Sequence, residues 1–77
     1  MFELELIKPG MSLTLKSSMA GYYQVRVKDV GNIRKQGYSS TVAITIDAWR
    51  YYKDEPWNLH ETTIVISASD SVSINEN

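Results

Sequence analysis

Between positions 49 and 57 the chain places Trp49, Tyr51, Tyr52 and Trp57, interleaved with Arg50 and Lys53. Large rings with a polar handle beside cationic side chains are the chemistry of contact surfaces. Tyr, Trp and Arg dominate the few residues that carry most of an interface's binding energy. The same rings can stack on bases, at about 1–3 kcal/mol per stacked base. A second cluster, Arg34, Lys35 and Tyr38, repeats the combination on a smaller scale. These nine residues are the candidate partner-binding set. They form one patch only if both clusters open on the same side. An antiparallel meander puts consecutive loops at opposite ends, which argues against it. The competing structural role is that Trp49 and Trp57 cap the end of the fold, with the tyrosines as a lid.

Catalytic and metal-binding chemistry finds little to work with. Asp54 and Glu55 are adjacent in sequence, a poor arrangement for a general acid and base pair, and read as solvated charges. His60 stands beside Glu61, but no serine, threonine or aspartate is tied to it by a recognisable motif. There is no cysteine and only one histidine, so a thiolate zinc site and an imidazole cluster are both ruled out. The expectation is a non-enzymatic protein with no metal and no cofactor.

The elements that must position these residues are strands, because apolar and polar residues alternate with a period of two and no window supports an amphipathic helix. Residues 2–6 alternate as a half-buried strand, and Lys8, Pro9 and Gly10 form a turn. Met11, Leu13 and Leu15 mark a second strand, expected to pair with the first. A third runs from Tyr22 to Val27 or beyond, with Tyr23, Val25 and Val27 on one face and Tyr22, Gln24, Arg26 and Lys28 on the other. Residues 29–32 read as a turn and residues 33–40 as a polar, basic connection. The clearest strand is 41–47, where Val42, Ile44 and Ile46 share a face. A fifth strand covers roughly 59–67, with a single helical turn near 54–58 before it. A short last strand spans 72–74, and residues 75–77 fray. The predicted fold is a single all-β domain over residues 1–77. It is a small five- to six-stranded antiparallel barrel or sheet, closed on itself or completed by a dimer partner.

Seventy-seven residues bury a modest core, and domains of this size often need a disulfide, a metal or a second subunit. With the first two excluded, a homo-oligomer, a dimer above all, is expected. The N-terminal stretch carries Glu3 and Glu5 and no basic region before a long apolar run, unlike a signal peptide. No run of about 18 apolar residues is present to span a membrane. Cytoplasmic location without membrane contact follows as the expectation.

Net charge is −1, too small for a whole-surface attraction to nucleic acid. Its distribution is uneven. Residues 8–53 hold all eight Lys and Arg against Asp29 and Asp47, a net of +6, while residues 54–77 carry −5. A folded sheet either separates these charges onto two sides or mixes them across strands.

The order of features resembles the carbon storage regulator family, small dimeric β proteins that bind mRNA leaders. The counterparts are residues 1–10, the stretch 25–32 with Gly31-Asn32, the tripeptide Ile46-Asp47-Ala48, and Leu59-His60-Glu61 with Ile64. The match needs insertions after Asn32 and after Ala48. The family's RNA contacts are consecutive arginines in the first strand and an arginine after the histidine. This chain has Ile7 and Lys8 at the first place and Glu61 at the second, so the resemblance implies a related scaffold without the usual RNA site.

The function expected from the sequence is a small regulatory or inhibitory module, of the kind phages make, that contacts another protein through the aromatic-basic loop. The alternative is a regulator binding single-stranded RNA or DNA through Arg34, Lys35, Tyr38 and residues 49–57.

Overall fold

A computed structural model of the chain describes residues 3–16 and 22–75. It is all-β: β1 (Ser12–Leu15), β2 (Gln24–Gln36), β3 (Ser39–Arg50), β4 (Thr62–Ser67) and β5 (Val72–Asn75) form one antiparallel sheet in the order β4-β3-β2-β1-β5. The sheet is open, with β4 and β5 as its two edges. It is also strongly curled. In a flat five-stranded sheet the edges would lie about 19 Å apart. The five steps from Ser67 to Val72 reach at most roughly 17 Å at full extension, and they contain a turn. That turn is tight: Asp70 Oδ2 accepts from the Ser67 amide at 2.9 Å, and the Asp70 amide donates back to the Ser67 carbonyl at 3.0 Å.

The inner face carries the core. Leu13, Val25, Val42, Ile44, Ile46 and Ile66 are fully enclosed, because strict alternation of β-branched and Leu residues turns them all to one side. The N-terminal run does not form the strand that its alternation predicts. Leu4–Leu6 is one turn of 3-10 helix, with the Ile7 amide donating to the Leu4 carbonyl at 3.2 Å. β1 already has β2 on one side and β5 on the other, so no edge is left for that run. A period of three then buries Leu4 and Ile7 together and leaves Leu6 exposed. Phe2 lies outside the described residues. The turn at Pro9-Gly10 forms as expected, with Gly10 at φ 91°.

The largest departure from the expected elements is β2. Residues 29–32 do not turn; the strand continues to Gln36, and residues 33–40 are not a connection but the end of a long hairpin with β3. Its two-residue turn has Gly37 at φ 60° followed by Tyr38 at negative φ, the pattern of a type II′ turn. Gly31 belongs to an irregularity where residues 31 and 32 oppose Ala43. A Cβ there would sit 2.9 Å from the Ala43 carbonyl oxygen, so close backbone approach, not turn geometry, demands the glycine. Asn75 is the last residue of β5 and its side-chain amide bonds Ser12 Oγ at 3.1 Å, so it is not part of a frayed end.

Candidate functional site

The β2–β3 register pairs Gln24 with Arg50 at one end and Gln36 with Ser39 at the other. The two candidate clusters therefore sit at opposite ends of one hairpin. β3 alone spans about 35 Å at normal rise, in a molecule 38 Å long. They do not form one patch.

At the proximal end, several of the nine residues are drawn into the fold. A register shift at Asp47 brings Trp49 opposite Val25, and the indole packs against the core cluster. Tyr22 stacks on it with centroids 4.7 Å apart, and Tyr51 meets it edge-on at 5.0 Å. Tyr22 thus lies on the core side, not on the polar face with Gln24. Arg50 is equally committed. Its guanidinium lies 4.3 Å over the Trp57 ring, Nε donates to Gln24 Oε1 at 2.6 Å, and Nη1 donates to the Glu55 carbonyl at 3.0 Å.

That arginine starts a polar relay across four strands. Gln24 Nε2 donates to Thr14 Oγ1 at 3.3 Å, and Thr14 Oγ1 donates to Asn75 Oδ1 at 2.5 Å. Gln24 and Thr14 are both buried, so their polar atoms must find partners within the protein. Alternation places Gln24 on the face opposite Val25 and Val27, but periodicity does not reveal what covers that face.

Residues 51–57 form a held turn, not the helical turn expected near 54–58. The backbone of Trp49 and Asn58 pairs at its base, with N–H···O distances of 3.0 and 2.8 Å. Within it the Glu55 carboxylate accepts the Tyr51 amide and, at 3.3 Å, the Tyr52 amide. Glu55 is therefore a loop clamp, while Asp54 is exposed. The surface this turn leaves open comprises Tyr52, 70% exposed, the half-exposed Tyr51, and Lys53, with Asp54 and Pro56 beside them. Leu59 adds an exposed apolar side chain just beyond the Trp49–Asn58 pair.

At the distal end Tyr38 protrudes fully from the hairpin tip, and Arg34 and Lys35 are exposed beside it. His60 is exposed and bonds no acid or hydroxyl among the described residues. Among those residues no group of three or more His, Asp and Glu is placed to hold a metal ion, and no helix is long and apolar enough to cross a membrane.

The charges intermix across strands instead of segregating. On the outer face, opposite the core, Arg26 pairs with Asp47 at 3.5 Å within the basic middle of the chain, and Lys28 pairs with Glu61, joining that middle to the acidic second half. No family model matches the sequence, and no curated protein or solved structure matches it either.

Proposed function

We propose that this protein is a non-enzymatic binding module that contacts another protein through the turn bearing Tyr51, Tyr52 and Lys53. The observation that carries the reading is the Glu55 clamp. One carboxylate takes the backbone amides of both tyrosines, so an exposed Tyr52 ring is presented on a backbone already fixed. Exposed rings cost conformational entropy when they become ordered in an interface, and prior ordering removes much of that cost. Lys53 beside the rings favours a partner with an acidic rim. Trp49, Arg50 and Trp57 support the turn from behind rather than touch the partner.

A nucleic-acid role asks for a continuous cationic track. The two basic-aromatic clusters lie at opposite ends of the hairpin, and two of the eight cations are neutralised by cross-strand acids. Kinship with the carbon storage regulators would add RNA-leader binding to the proposal, but the arginines that serve it there are not present at Ile7, Lys8 and Glu61. Cytoplasmic residence, and a dimer formed through the open edge of β4 or β5, complete the reading.

The test is affinity capture from native lysate with the full chain as bait, with and without nuclease, beside a Tyr52→Ala bait. A protein retained through nuclease treatment and lost from the variant supports the proposal. Capture that vanishes with nuclease, or that ignores the substitution, contradicts it.

A further inference from the structure

Along the outer face of β2 the basic residues follow a pattern with one break. Arg26 has Asp47, Lys28 has Glu61, and Arg34, the next cation on that face, forms no ion pair among the described residues. Arg34 instead lines a groove of about 450 Å³ with Asn32, Gln36, Thr41, Ala43 and Val65. Its lining mixes amide and hydroxyl groups with the apolar side chains of Ala43 and the exposed Val65.

β2 is also an edge strand here. β1 pairs with it only over Gln24, Val25 and Arg26, and the chain before β1 bonds it at Val27. Beyond Val27 no described residue pairs with that side of β2, so those of residues 28–36 whose backbone groups point away from β3 present free donors and acceptors. The shifts at Lys28 and at residues 31–32 interrupt this edge. Bulges of that kind discourage open-ended strand addition. Regular pairing geometry is left over residues 33–36, enough for a short segment.

We infer that the free β2 edge over residues 33–36, with Arg34 on its outer face, forms a second binding site, separate from the tyrosine turn, that takes a short extended acidic peptide segment of another protein. A strand added beside residues 33–36 would form main-chain bonds to the edge and place every second side chain on the outer face. Such cross-strand neighbours lie about 4.5–5.5 Å apart at Cβ. A glutamate there supplies Arg34 with the carboxylate that Arg26 and Lys28 already have. The guanidinium can grip it through two parallel N–H···O bonds. The inference does not rest on the proposed role of Tyr52.

The test is titration of the full-length, nitrogen-15-labelled protein with a terminally blocked hexapeptide of alternating Glu and Val. A peptide with Gln in place of Glu and a short oligothymidylate are titrated in parallel. The expected result is saturable movement of the amide signals of residues 33–36, with binding at least about fivefold weaker for the Gln peptide, as expected when a charge-assisted pair becomes neutral. Arg34→Gln should weaken the Glu peptide to the same degree. Val65→Glu, which places an acid inside the groove at an exposed position, should do likewise. Tyr52→Ala should leave binding unchanged. Equal binding of the two peptides, shifts confined to other residues, absence of saturation, or preferential binding of oligothymidylate at residues 33–36 would each overturn the inference.

Discussion

Arg50 Nε donates to Gln24 Oε1 at 2.6 Å, and this one bond ties the supposed contact loop to the buried polar relay behind it. It changes what substitutions in the loop should do. Residues close in sequence separate into those that hold the fold and those that face outward.

Arg50→Ala is expected to destabilise the protein by about 2–3 kcal/mol. It removes a charge-assisted bond, leaves the buried Gln24 acceptor unsatisfied and exposes the Trp57 ring it covered. Tyr52→Ala, by contrast, should stay within about 0.5 kcal/mol of the parent, as surface changes usually do. Urea unfolding followed by tryptophan fluorescence separates the two. Equal midpoints for parent and Arg50→Ala would contradict the assigned role.

Gly31→Ala should cost about 1–3 kcal/mol, because its Cβ would meet the Ala43 carbonyl oxygen at 2.9 Å, backbone that cannot simply swing aside. Gly37 has open space but sits at φ 60°, so Gly37→Asn should be tolerated better than Gly37→Val. Thermal melting of the three variants checks the order. A Gly31→Ala protein as stable as the parent would remove the close-approach argument.

Trp49 Nε1 is buried without a hydrogen-bond partner among the described residues. Trp49→Phe discards that unsatisfied donor along with some contact area. Its expected cost is under about 1.5 kcal/mol, against about 3 kcal/mol or more for Trp49→Ala, which also dismantles the stack on Tyr22. Denaturant midpoints measure both, and equal losses would mean the ring's packing counts for little.

The Lys28 ammonium is hydrogen-bonded to the Glu61 carboxylate and attracted by its charge, which raises its pKa above the ordinary 10.5. A raised folded-state value stabilises the protein fully below the unfolded pKa and loses that contribution as pH rises through the folded one. The pair is solvent-exposed, so the effect is small. Lys28→Met should therefore lie slightly below the parent in melting temperature near neutrality. The gap should close as pH rises above 10.5. A gap that widens with alkalinity would contradict the sign.

Fold class was legible because two-residue alternation survives in Leu13 and Leu15, in Val42, Ile44 and Ile46, and in Ile64 and Ile66. All of these line the inner face. The N-terminal run misled for a tertiary reason: its alternation suits a strand, but both sides of β1 are occupied. Gly31 misled for a local one, since glycine before asparagine serves a turn or a bulge equally well. The hairpin at Gly37 had a usable signal, a glycine beginning a two-residue link between Gln36 and Ser39. In the candidate site, the composition of residues 49–57 located a dense cluster but not its division into support and surface. That division follows from the register shift at Asp47, which turns Trp49 inward, and from Gln24 standing opposite Arg50. Neither is written in local sequence.

The affinity of a captured partner protein for the parent and for Tyr52→Ala, measured by calorimetry at low and high salt, tests the proposed contact most directly. The prediction is a loss of about 30-fold or more on substitution, as for an interface anchor worth about 2 kcal/mol, with only a shallow dependence on salt. Unchanged affinity in the variant, or a steep fall with salt of the kind produced by phosphate neutralisation, would contradict it.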